Sequence, residues 1–360
     1  MGWIALRDGH DGRFEPGGLT GGPAVIAPDP GAAALLARGT LLIEFGGDRP
    51  LEENVPILRL SRTAPWAETL LLAAEPGGAL RFAHRQGTQL RSVRLPLPRP
   101  SSLAGRILSL AWDAPARQGW LSLYDPTARR LWQADLAGPM PLCLGDVREI
   151  AGAPLAPGLR WLAVSDRVEP AGPMPGLDGA ARLFTPEGPV PISDLKRGQI
   201  VATAAGDRAQ IRWVGSAEVI SRGSQVPVML RAPYHGLTRH IVAAPDQRIE
   251  LGGTEIEYLF GVERVSAAVG DLKDGRSVLE VRGGPVRTAW QVLLDSGAAP
   301  LVEGAAIHAL DIAPMLADPG VLGRTVLRDL PVELLPAGIG PEMPRLETYE
   351  AVTFAHHSAA

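Results

Sequence analysis

The chain has 360 residues, 46% of them hydrophobic, which suits two cores of roughly 100–200 residues each and excludes a disordered polymer. Its net charge of −4 is thinly spread, with Lys196 and Lys273 the only lysines, and the absence of a basic stripe speaks against a nucleic-acid partner. The lone Cys143 permits no intrachain disulfide, and no run approaches about 20 uninterrupted apolar residues, so no membrane span is expected.

Read from its start, Met1-Gly2-Trp3-Ile4-Ala5-Leu6-Arg7-Asp8 lacks a basic segment followed by an apolar one, and no secretory signal is expected. Forty-two glycines and 34 prolines punctuate short apolar runs, the habit of an all-β chain with many brief strands. Helix candidates are few: the Ala-rich run 31–38 and residues 311–318. Strands are predicted over Thr40–Phe45, Ile57–Arg62, Thr69–Ala74 and Ala79–Arg85, the last two flanking the hairpin signal Glu75-Pro76-Gly77-Gly78. Arg106–Asp113 follows, with Leu108, Leu110 and Trp112 on one face at period two. Gly119–Asp125 sets Leu121 and Leu123 against Trp120, Ser122 and Tyr124, and Leu131–Leu136 completes the series. Cys143 sits in an apolar run without a neighbouring histidine and reads as a buried small hydrophobe.

The strand ending in Trp112-Asp113, a short turn, and a strand displaying an aromatic resemble the laminin-G/concanavalin-like jelly roll. The resemblance implies a two-sheet sandwich over 1–169, and in many such sandwiches a glycan-binding face. Sugar C–H faces stack on exposed aromatic rings, so Trp120 and Tyr124 are the stacking candidates, with Arg81 as a polar contact. The alternative is that both aromatics are core or interface residues. An enzymatic sandwich would need paired carboxylates, for which Asp113, Asp125 and Asp135 are the candidates.

Six of eight tryptophans (Trp3, Trp66, Trp112, Trp120, Trp132 and Trp161) precede residue 165, whereas Trp213 and Trp290 follow it, which suggests two domains of different ancestry. The Pro/Gly-dense stretch 168–176 marks their junction, with a linker at 170–175. Beyond it, Phe184-Thr185-Pro186-Glu187-Gly188, Asp194-Leu195-Lys196-Arg197-Gly198-Gln199-Ile200-Val201-Ala202-Thr203 and Ile211-Arg212-Trp213-Val214-Gly215 appear in order. Then come His240-Ile241-Val242-Ala243-Ala244-Pro245-Asp246-Gln247-Arg248 and Thr288–Asp295. This succession resembles the Hint (Hedgehog/intein) domain, here over 176–312, with 313–360 as an extension that packs on it or is partly disordered.

The Hint resemblance implies an acyl shift from nitrogen to the sulfur of a Cys, or the oxygen of a Ser, assisted by a Thr/Ser-x-x-His pair. The positions that match are Gly176, Ala244 and Gln247, with Gln291 and Gly297 where histidines of the closing strand are often found. Glycine offers no nucleophile and glutamine no proton shuttle near neutral pH. His235, His240 and His308 are the nearby substitutes, and Asp246 and Arg248 flank the position as a pair or as solvated turn charges. The expectation is an all-β protein, an N-terminal jelly-roll β-sandwich followed by a Hint-type β-fold, that is not an enzyme and needs no cofactor. Its expected partner is a polysaccharide or a protein in a larger assembly, such as a bacterial surface or a phage-like particle. The alternatives are self-cleavage at 175–176 and a glycoside-active enzyme. No Asp-x-Asp-x-Asp cluster suggests calcium, and the terminal His356-His357 pair reads as a disordered tail.

Overall fold

The structure is a computed structural model that describes residues 2–9, 11–20, 31–47, 55–63, 67–98, 102–316, 319–336 and 343–359. Trp66 lies outside the described residues. Strands dominate, and the chain divides into two compact units, Met1–Gly172 with Gly284–Val286, and Pro173–Gly283 with Arg287–Ala360. No helix among the described residues is long and apolar enough to cross a membrane.

The first unit is a sandwich of two antiparallel sheets. One runs Arg130–Ala137, Gln118–Asp125, Ile107–Asp113, Arg38–Phe45, Leu159–Ser165, Trp3–Asp8, Gly12–Phe14, and the other Val55–Arg62, Glu68–Glu75, Ala79–Gln86, Gln89–Pro96. The period-two pattern is what packs them. Leu121 pairs with Leu110 and Leu123 with Leu108, and all four are buried with Leu41, Ile43, Leu60, Leu70, Leu72, Leu80 and Phe82 in one core. At roughly 1.5–3 kcal/mol for each such side chain, burial on this scale is the main force closing the sandwich.

The outer face of the seven-stranded sheet is also covered. Thr40 Oγ1 donates to the Arg167 carbonyl at 2.9 Å and accepts from the Glu169 amide at 2.8 Å, while Ser165 Oγ donates to Glu169 at 2.6 Å. Gly172 passes so close to Leu131 that a Cβ there would lie 2.9 Å from the leucine Cδ2. Residues 166–172 therefore cross that face from the Leu159–Ser165 strand to the Arg130–Ala137 strand.

The helix expected at 31–38 does not form. Leu35 and Leu36 instead pair with Cys143 and Leu142, and the carbonyls of Ala34 and Ala32 accept the amides of Leu144 and Gly145. Partners distant in sequence take the backbone groups that a helix would have used, so tertiary pairing overrides alanine's propensity. At 311–318 a short helix, Ala313–Leu316, does form. Helices Leu144–Gly152 and Thr348–Ala359 are further ones that the hydrophobic pattern did not reveal.

The second unit is a set of small antiparallel sheets around one core that includes Leu177, Leu183, Ile192, Val228, Ile241, Ile249 and Val292. Its longest strand, Arg208–Ile220, lies between Ile200–Ala202 and Val286–Leu294. The Thr348–Ala359 helix buries Ala351, Phe354 and Ala355 in the same core, and Ser266 pairs in parallel with Arg345. A satellite cluster joins Leu293, Leu310, Ile312, Met315, Leu322, Leu327 and Leu330.

Candidate functional site

The segment Gly176–Asp178 lies as an extra strand between Ile241–Ala243 and Val286–Leu294. Leu177 exchanges backbone hydrogen bonds with Trp290 at 2.9 and 2.7 Å, the Asp178 amide donates to the Val242 carbonyl at 2.9 Å, and the Ala244 amide donates to the Gly176 carbonyl at 2.6 Å. This pairing brings Gly176 against the turn after Ala243. A Cβ at Gly176 would lie 2.6 Å from Gln247 Oε1 and 3.5 Å from Ala244 Cβ. Positions 176, 244 and 247, which sequence reasoning grouped, thus converge in space.

Gln247 and Gln291 are buried there, and each finds partners. Gln291 Nε2 donates to Gln247 Oε1 at 2.6 Å, Gln247 Nε2 donates to the His308 carbonyl at 2.8 Å, and the Val292 amide donates to Gln291 Oε1 at 3.0 Å. Buried carboxamides must be paired in this way or cost the full penalty of desolvation. Gly297, by contrast, lies in the exposed bend after the strand.

Arg287, which no sequence motif singles out, donates from Nη2 to the Gly176 carbonyl at 3.3 Å. Burial pulls its guanidinium below the usual arginine range, against the opposing pull of Asp246 and Asp178.

The histidines considered as substitutes are engaged elsewhere. His308 lies 3.6 Å from Glu250, a carboxyl that burial pushes up. His240 Nδ1 accepts the Ala232 amide at 2.9 Å, and His235 meets Ser277 Oγ at 3.3 Å, where burial lowers its pKa. Arg248 Nε and Nη2 donate to Ser266 Oγ and O at 3.0 and 2.5 Å, while Asp246 keeps an exposed edge and burial of its carboxyl pushes it up, with Arg287 pulling the other way. Among the described residues no cluster of His, Cys, Asp or Glu could hold a metal ion.

The three residues nominated for a sugar site are not brought together. Leu121 and Leu123 face the core, so Trp120 and Tyr124 point to the outer side of the seven-stranded sheet, where each is only 9% exposed. Arg81, between the buried Leu80 and Phe82, points outward from the other sheet, with its guanidinium 3.7 Å from Glu75. The aromatics and the arginine therefore lie on opposite outer faces of the sandwich. The carboxylates do not converge either. Asp113 and Asp125 sit at opposite ends of the sheet register, Asp113 paired with Arg38 at 2.9 Å and Asp125 with Arg106 at 2.8 Å.

A two-sheet sandwich followed by a compact unit of small sheets, with positions 176, 244 and 247 gathered in the second unit, makes this a two-part all-β protein. Residues 176–312 match the family model of the Hint domain, and the chain carries a Hint domain there. Solved structures similar to parts of the chain include the gp41-1 intein, at 13% identity over 37% of this chain and 97% of that one, with a TM-score of 0.26. The MchDnaB-1 intein (N145AA) is 14% identical over 38% of this chain and 99% of that one, with a TM-score of 0.25. The LG1-3 region of the laminin alpha2 chain is 11% identical over 86% of this chain, with a TM-score of 0.24, and the present chain spans 54% of its length. Likenesses this distant carry no weight beside the family model. No curated protein matches the chain.

Proposed function

We propose that the protein is a non-catalytic binding or assembly component in which the Hint domain serves as a scaffold. The observation that supports this reading is the content of the convergent positions. Gly176, Ala244, Gln247 and Gln291 hold no thiol, hydroxyl or imidazole, and the two glutamines are tied into a closed amide network instead. An N-to-S or N-to-O acyl shift needs a nucleophile on the residue after the scissile bond and a group that protonates the leaving amide. A carboxamide donates hydrogen bonds but does not pass protons on.

The binding role is assigned to the N-terminal sandwich, with a polysaccharide or a protein partner as its target. Glycan stacking requires open ring faces. The low exposure of Trp120 and Tyr124 speaks against a sugar stacked on their rings. The test is a pull-down and glycan-array screen with the full chain beside a Trp120→Ala/Tyr124→Ala variant. A stable protein partner or self-association, indifferent to the double substitution, is expected. Glycan binding that disappears in the variant would replace the assembly reading with a lectin one, and no binding of either kind would refute both.

A further inference from the structure

The outer face of the four-stranded sheet gathers positive charge that the linear sequence scatters over three strands. Alternation decides which side chains reach that face. Leu60, Leu70, Phe82 and Val93 are buried on the core side, so Arg59, Arg81, Arg85 and Arg94 point the other way, and each is exposed. Among the described residues of the face, Glu75 is the only acid.

Register sets the guanidiniums against one another. Arg81 lies directly opposite Arg94 on the neighbouring strand, and like charges so placed cost stability. Glu75 offsets part of that cost, accepting from Arg94 Nε at 2.8 Å and lying 3.7 Å from Arg81 Nη1. Its side chain is only 20% exposed, whereas those of Arg81 and Arg94 are 50% and 56% exposed. Arg85 is four residues further along the strand of Arg81, about 13 Å away. Arg59 pairs with Leu71, which pairs with Ala83, so Arg59 stands level with the midpoint between Arg81 and Arg85, two strands across. Neither Arg59 nor Arg85 meets a carboxylate among the described residues. Thr69, Ala73, Ala83 and Ser92 give the face a floor of short side chains, and no aromatic residue points from it.

Such a face fits a polyanion. Protein interfaces centre on desolvated aromatic and aliphatic anchors, and bases of single-stranded nucleic acid need rings to stack on. Here Leu90, on the outermost strand, is the one exposed large apolar residue. Guanidiniums clasp carboxylates through paired N–H donors, and a sheet holds them at fixed spacings. A stiff chain that repeats carboxylates along its length meets that array with little ordering cost. The geometry points to an acidic, uronate-bearing polysaccharide bound across the outer face of the four-stranded sheet by Arg59, Arg81, Arg85 and Arg94. This rests on the sandwich being the binding part of the protein, and it leaves Trp120 and Tyr124, on the other outer face, without a role in binding.

Biolayer interferometry of the full chain on immobilised polygalacturonate, beside neutral dextran, tests this. Binding to the polyuronate alone is expected, and it should weaken as added salt screens the pairs. Arg59→Gln/Arg85→Gln breaks no ion pair of the fold, so its melting temperature should match the parent's while its affinity falls roughly tenfold, the effect of losing two exposed pairs. Arg208→Gln, at an exposed position of the second unit, should bind as the parent does. Equal affinity of the parent and the double variant would overturn the proposal, as would tighter binding to polyglutamate or single-stranded DNA than to polygalacturonate. A full chain that captures a protein partner yet shows no affinity for polygalacturonate would also overturn it, and would leave the assembly reading standing.

Discussion

Gln291 gives a side-chain N–H to Oε1 of Gln247 at 2.6 Å, and Gln247 passes its own N–H to the carbonyl of His308 at 2.8 Å. The chain of amides closes the space beside Gly176 with groups that satisfy one another. Gln247→Ala would leave the Gln291 side-chain N–H and the His308 carbonyl with only the longer bond between them, at 3.4 Å. The expected loss is about 1–3 kcal/mol of stability, read from urea unfolding of the full chain. A variant as stable as the parent would mean that the network is replaceable by water and holds nothing shut.

The same contact makes Gly176 sensitive to its neighbour. An added Cβ would meet Gln247 Oε1 at 2.6 Å, so Gly176→Ala has to displace the amide and is expected to cost about 1–2 kcal/mol. In the Gln247→Ala background that cost should largely vanish. A double-mutant cycle measures the coupling directly, and two additive penalties would contradict the geometry.

Asp274 organises the turn before the strand Val278–Glu280. Its Oδ1 accepts the amides of Arg276, Ser277 and Val278 at 2.7, 2.7 and 3.1 Å, and Ser277 Oγ donates to Oδ2 at 2.7 Å. Burial alone would raise the carboxyl, but these bonds bring it down from 3.8 to about 2. A carboxyl whose folded pKa is depressed contributes stability above its unfolded pKa and loses it as pH falls through the folded value. Melting temperature should therefore drop between pH 3.8 and about 2, and more steeply in the parent than in Asp274→Asn. Parallel curves for the two proteins would count against the assignment.

Glu303 is buried with φ near 50° and holds Arg182 through two bonds, at 2.8 and 2.9 Å, while Thr238 donates to it at 3.3 Å. Glu303→Gln keeps the shape and part of the bonding, whereas Glu303→Ala leaves the arginine without its partner. Thermal unfolding is expected to rank the parent above the Gln variant and the Gln variant above the Ala variant. Equal losses from both substitutions would show that the residue acts only through packing.

The parts legible in the sequence were those with local signals. Leu108, Leu110 and Trp112 alternate strictly, and the strand Ile107–Asp113 forms where that alternation lies. The positions of Gly176, Ala244 and Gln247 followed from the spacing of landmarks around them, and the fold brings them together. Distant pairing was not legible. The alanines at 32–34 read as helix because nothing nearby shows that Leu142 and Cys143 pair with the residues that follow. Trp120 and Tyr124 read as an open face because alternation marks which side of a strand a residue takes, and says nothing of what covers that side. Arg287 was invisible for the same reason, since it is 111 residues from the carbonyl it binds.

Intact-mass spectrometry of the full protein after prolonged incubation with dithiothreitol tests most directly whether the Hint domain processes its own chain, which the proposed scaffold role says it does not. A single species of unchanged mass is the expected result. Two fragments divided between Pro175 and Gly176 would contradict it and return the protein to the self-processing class.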